Sequence, residues 1–277
     1  MKKEIKRNPT VIRKYFQFID SVQTIIARLP LSILVGILLM SLVLLLTLDN
    51  LLHNPLIDTT ILLVTIALIG LSIAYIIAKY NTKDLPTDKE IDEWFQEDIR
   101  KITKLAQEKL DIEPEKLVTQ PIVIYKPILW EVPGIPISDI MYAKGKDGLL
   151  RFSAWEIVIL FLLENYLAAY HANLNFITGE ILNENTEEFF YKDIVKVGTN
   201  YKEIPRLPTE NEALSKFSLL KLPKEVTTFE IKVSSGDAIS VYDITKFLDS
   251  KIVPTPSLDE AIKTIRTIVR EKKSNTN

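Results

Sequence analysis

The chain has 277 residues, 47% of them hydrophobic, with 34 Lys+Arg against 36 Asp+Glu, two histidines and no cysteine. The lack of thiols excludes disulfides, thiolate metal sites and cysteine catalysis. The near-neutral total hides a split: residues 1–30 carry seven Lys+Arg and two Asp+Glu, whereas 84–277 carry 25 and 32, a net of −7. Such an acidic body argues against nucleic acid as the main partner, because phosphate binding needs a basic footprint.

Residues 1–30 read as a basic amphipathic juxtamembrane segment. Ile12, Tyr15, Phe16, Ile19, Val22, Ile26 and Leu29 recur at helical spacing, with Lys14, Gln17, Ser21 and Arg28 elsewhere around the helix. Two positions are open to it: the membrane interface, or the surface of a folded domain. Two apolar runs without a charge follow, Leu31–Leu48 and Ile61–Ala78. Each approaches the ~20 residues of a bilayer-crossing helix. They predict a transmembrane hairpin over 31–80, with spans about 31–48 and 59–78. The link Asp49–Thr60 has no Lys or Arg, so the positive-inside bias predicts a multi-pass protein of the cell membrane with both termini cytoplasmic. Ser32 and Gly36, and Gly70, Ala74 and Ala78, lie four apart and predict small-residue faces where the two helices close on each other. Neither run holds an ionisable residue, which disfavours a transporter or proton pathway.

A linker helix is predicted over 84–112. Thr87 and Glu90 fit a capping box, and Ile91, Trp94, Phe95, Ile99, Ile102, Leu105, Ala106 and Leu110 trace one face. The Pro-rich stretch 121–136 reads as extended or irregular chain. Strand-like segments follow at 149–162, 166–176 and 187–197, with turns at Glu164-Asn165 and Thr178-Gly179. Residues 199–213 read as a loop and 216–222 as a short strand. Thr227, Phe229, Ile231 and Val233 alternate with polar neighbours, Ser235-Gly236-Asp237 turns, and Ile239 and Val241 return, which is a hairpin signature. Ser257 and Glu260 form a second capping box before a helix whose face is Leu258, Ala261, Ile262, Ile265, Ile268 and Val269. The fold class read from this order is an α+β membrane protein: anchor hairpin, linker helix, then an antiparallel domain over 113–277 closed by a terminal helix.

The strand Ile157–Leu162, the turn Glu164-Asn165 with Leu167 and Tyr170, the run Phe189-Phe190-Tyr191-Lys192-Asp193-Ile194-Val195, the hairpin about Gly236 and the capped last helix together resemble the bacterial pleckstrin-homology-like (GRAM-like) domains. The likeness covers roughly 149–273, and the stretch 113–148 has no place in it. The resemblance implies a seven-stranded bent sheet closed by the helix, and binding rather than catalysis. Many bacterial members stand beside transmembrane spans. Eukaryotic relatives often grip phosphoinositides with basic residues of the first hairpin, whose nearest counterparts are Lys144, Lys146 and Arg151. These are candidate contacts for an anionic headgroup; the plainer reading is a solvated turn.

The chain lacks a phosphate-binding glycine loop, a nucleophile elbow and a zinc-protease helix motif. His53 and His171 read as structural or surface residues. No catalytic residue, metal ligand or cofactor is expected. Two functional readings follow. The first is a membrane-anchored, non-catalytic cytosolic module binding a protein, peptide or lipid. The second is an oligomeric membrane effector or pore gated by its cytosolic domain. The expected partners are the bilayer and either a protein partner or further copies of the chain.

Overall fold

The structure is a computed structural model that describes residues 6–19, 55–203, 225–243 and 258–274, with single helical positions between 32 and 43. The chain divides into two compact units: Met1–Ile5 with Gln17–Leu85, and Lys6–Phe16 with Pro86–Asn277.

In the first unit, helix α2 spans Pro55–Asn81. The expected transmembrane hairpin, and the membrane location and orientation built on it, is corrected: among the described residues no helix is long and apolar enough to cross a membrane. Run 31–48 contributes only isolated described positions. Run 61–78 lies within α2. Leu63, Ile66, Leu71, Ile73 and Ile76 on α2 are exposed, while Tyr75 and Ala78 are buried.

The second unit is α+β with antiparallel sheets. Its N-terminal helix α1 spans Pro9–Phe18. Asn8 caps it, accepting from the Val11 N–H at 3.0 Å, and Pro9 follows where a missing N–H costs nothing. Of the two positions open to this amphipathic segment, the structure shows packing on the folded domain: Ile12, Tyr15 and Phe16 are buried. Helix α3 spans Asp88–Lys109. Its capping box is complete: the Glu90 N–H donates to Thr87 Oγ1 at 3.2 Å and the Thr87 N–H to Glu90 Oε2 at 2.7 Å. Ile91, Phe95, Ile99, Ile102 and Ala106 are buried, so this helix is part of the core and not a free linker.

Four strands form the central sheet, in the order β1 (Ile122–Pro127), β4 (Ala154–Leu162), β5 (Tyr166–Asn175) and β6 (Glu180–Phe190), all antiparallel. Between β1 and β4 the chain makes a short hairpin, β2 (Tyr142–Lys144) and β3 (Leu150–Phe152). After a 3-10 turn at Tyr191–Asp193, β7 (Ile194–Glu203), β8 (Glu225–Val233) and β9 (Ala238–Asp243) form a three-stranded meander. Helix α4 (Leu258–Ser274) comes last. The short strand expected at 216–222 lies outside the described residues, as does Ser257.

The four-stranded sheet is covered on both faces. On one, Val158, Leu160 and Leu162 join Phe229, Ile231 and Val241 of the meander and Ile262, Ile265 and Val269 of α4 in one mostly aliphatic core. On the other, Phe95 of α3 packs on Trp155 at 4.7 Å and Tyr125 at 5.0 Å between ring centroids. A strand buried on both faces has no polar side to alternate with, which is why β4 reads Ala-Trp-Glu-Ile-Val-Ile-Leu-Phe-Leu.

Candidate functional site

The β2–β3 hairpin holds the three basic residues singled out in the sequence. Lys144 and Lys146 lie at its turn, outside the ion-pair network described next. Arg151 is only 2% exposed. Its guanidinium donates to both oxygens of Asp92 at 2.7 Å and to both of Asp147 at 3.0 and 2.7 Å. Burial opposes its charge, but the two carboxylates outweigh it and hold the guanidinium above its ordinary pKa. Arg151 likewise keeps Asp147 below the usual carboxylate range. The structure therefore brings Arg151 together with acids of α3 and of its own turn. The Lys146 N–H also donates to Asp88 at 2.8 Å, fastening the turn to the start of α3. Gly145 makes the fit possible: a Cβ there would stand 2.2 Å from Arg151 Nη1 and 2.7 Å from Asp147 Oδ1.

Asp88 also receives the Tyr15 hydroxyl at 2.8 Å. Burial raises the Tyr15 pKa well above its ordinary value, and the neighbouring carboxylate adds to it. Two further acids hold the N-terminal segment. Arg7 reaches Asp98 with two guanidinium nitrogens, one at 2.7 Å, and lies 5.3 Å over the Phe176 ring. Arg13 pairs with Asp139 at 2.7 Å, and Asp139, 2% exposed, is steadied by the Asn175 amide at 2.9 Å. Sequence reasoning missed these acids because none lies near its partner in the chain.

A second feature lies at the corner between the sheets. The Tyr191 hydroxyl donates to the Leu163 carbonyl at 3.0 Å, and burial pushes it up to about 12. The Ser234 N–H donates to Asp193 O at 2.9 Å and Lys273 Nζ to Ile194 O at 2.7 Å, so the corner is fixed from several sides. On this rigid base Phe190 is 49% and Val195 63% exposed. Phe190 lies 6.0 Å from the Tyr166 ring, and Lys192 Nζ stands 5.7 Å from the Phe190 centroid. The sequence held a signal for this: Phe189 and Phe190 are adjacent on one strand, so they cannot both face the core.

Lys126 and Glu156 pair at 2.8 Å across β1 and β4. His171 Nε2 is buried without a partner, and desolvation lowers its pKa. Among the described residues no group of three His, Asp or Glu side chains could hold a metal. A cavity of about 470 Å³ between the second half of α3 and the approach to β1 is lined by uncharged residues, including Thr103, Gln107 and Thr119. In the first unit, Ser32, Gly36, Gly70 and Ala74 are exposed and Ala78 is buried. A Cβ at Gly36 or Gly70 would meet nothing within 4 Å, so no described neighbour presses on the small-residue faces there. No family model matches the chain, and no curated protein or solved structure matches it either.

Proposed function

We propose that this chain is a non-catalytic protein-interaction module, and that its second unit is a pleckstrin-homology-like domain. The order of elements supports the likeness: a four-stranded antiparallel sheet, a three-stranded meander, then a helix sharing one core with both. The stretch 113–148, without a place in the sequence resemblance, supplies β1 as the first strand of that arrangement and β2–β3 as an insertion after it.

The observation that carries the binding reading is the exposed aromatic corner. Tyr166, Phe190 and Lys192 form an aromatic and cationic patch on a rigid turn. Aromatic side chains on a preorganised base bind at low entropic cost, and such residues dominate interface energies. Lys192 adds a charge for an acidic or carbonyl-rich rim on the partner.

The test compares the full chain with Phe190→Asp and Val195→Asp by quantitative co-purification after reversible crosslinking. A partner protein recovered in near-stoichiometric amount with the native chain should fall about tenfold or more with either variant. Recovery unchanged by both, in variants with native circular dichroism, would sink the reading.

A further inference from the structure

Strand β6 has β5 as its partner on one side, and among the described residues no strand pairs with it on the other. We propose that residues 185–190 of this free edge take an extended, basic segment of a partner protein as an added strand, with an apolar residue of that segment against Phe190. The proposal rests on the reading of the aromatic corner as a binding surface and names what binds there.

The backbone supplies the first observation. The Tyr191 N–H donates to the Asn165 carbonyl at 3.3 Å, so these two residues are a hydrogen-bonded pair of the β5–β6 ladder. Such pairs alternate along antiparallel strands. In the observed register they continue as Leu167 with Phe189, Ala169 with Glu187 and His171 with Asn185. The N–H and C=O groups of Thr186, Glu188 and Phe190 therefore point away from β5, and no described residue bonds to them. A row of such groups is the template that strand addition uses.

A bulge sets where that template begins. Between His171 and Asn173 the register shifts, so that Asn183 and Glu184 stand against Ala172 alone. Asn183 has a φ of 52° and its amide donates to the Pro133 carbonyl at 2.9 Å, while Glu184 is engaged by Lys109 and Tyr170. The stretch from Asn185 to Phe190 is regular beyond this bend. It carries neither Lys nor Pro, the residues that commonly guard a sheet edge.

Charge and shape choose the occupant. Glu188 is exposed on one face of the sheet, and Glu187 is half-buried on the other. An added strand sets side chains opposite these two at successive positions, where Lys or Arg is favoured and acids are disfavoured. Two residues from the position facing Glu188, its side chain faces Phe190, which Tyr166 backs across the ladder. A second copy pairing antiparallel through the middle of the same stretch would set Glu187 and Glu188 against their own counterparts. Like charges directly opposite are destabilising, so the edge fits a different, basic chain.

The test titrates the full chain with a fluorescent peptide, Thr-Val-Thr-Phe-Thr-Lys-Lys-Thr-Val, and saturable binding is expected. It should weaken about tenfold or more when Glu replaces both lysines of the peptide. Methyl groups on the alternate peptide nitrogens that meet β6 should do the same, since they remove the edge donors and keep the side chains. Thr186→Pro in the chain should also weaken binding about tenfold, with native circular dichroism, because its N–H faces outward and Pro is tolerated there. Absence of saturable binding, or binding indifferent to N-methylation, overturns the proposal. A chain of doubled mass in light scattering that returns to monomer mass with Thr186→Pro assigns the edge to a second copy and overturns it too. The crosslinking test scores the corner separately. Partner recovery that falls with Phe190→Asp but not with Thr186→Pro keeps the corner and rejects strand addition; recovery that falls with both supports the two together.

Discussion

The two faces of the four-stranded sheet are filled by different chemistry. One is mostly aliphatic, with Phe189, Tyr191 and Phe229 among the aliphatic side chains, and closed by elements that follow the sheet in sequence, the β7–β9 meander and α4. The other is aromatic and charged, closed by elements that precede the sheet, α3 and α1. Aliphatic packing has no preferred direction and tolerates swaps of similar volume. The aromatic face depends on ring geometry, on the Trp155 Nε1 hydrogen bond to Phe152 O at 2.9 Å and on the forked Arg151. Tolerance to substitution should therefore differ between the faces even where burial is equal.

The largest effects test that contrast directly. Trp155→Ala should cost about 3–5 kcal/mol and Leu160→Ala about 2–5 in chemical denaturation. The discriminating pair is conservative: Leu160→Met should cost under about 1.5 kcal/mol. Trp155→Phe should cost more than that, since it also leaves the buried Phe152 carbonyl without its donor. Equal costs for the two conservative changes would erase the distinction.

Next in size is Gly145→Ala. The new methyl displaces the Arg151 fork and should lose about 1–3 kcal/mol, a cost typical of overpacking. The Arg151→Lys variant should lose about as much, because an ammonium cannot engage two carboxylates in forked geometry. If the two effects share one origin, the double variant should cost less than the sum of the singles.

The smallest effect is a pH dependence on the aliphatic side, where His171 lies on β5 opposite Val158 of that core. Burial lowers its folded-state pKa from the ordinary 6.5. The folded protein then binds fewer protons than the unfolded chain below that value, so stability is full above about pH 6.5 and declines as pH falls. Denaturation midpoints between pH 7.5 and 5.5 should drop in the native chain and drop less in His171→Leu.

Local signals in the chain were the legible ones. The Thr87–Glu90 capping box, the apolar face of α3 and the hairpin about Gly236 are encoded within a few residues, and each appears where its pattern stands. Three features were hidden for physical reasons. The strand β1 is flanked by Pro121 and Pro127, which suggest irregular chain, yet Pro is tolerated at the ends of an edge strand. The break at Ser153 divides what reads as one strand over 149–162, because its hydroxyl and backbone serve the Asp139 and Met141 segment. The acids around α1 were illegible because partners such as Arg7 and Asp98 are 91 positions apart. The apolar runs misled, because among the described residues no helix is long and apolar enough to cross a membrane.

The bond from Tyr15 to Asp88 has one more consequence. It joins the residues flanking the whole excursion Gln17–Leu85, so the two ends of that excursion are pinned within one hydrogen bond of each other. The excursion is thereby an insertion with a closed base. Closure entropy grows only logarithmically with loop length. The second unit is therefore nearly indifferent to what is carried between residues 16 and 86, and a short flexible linker in that place should leave its architecture standing.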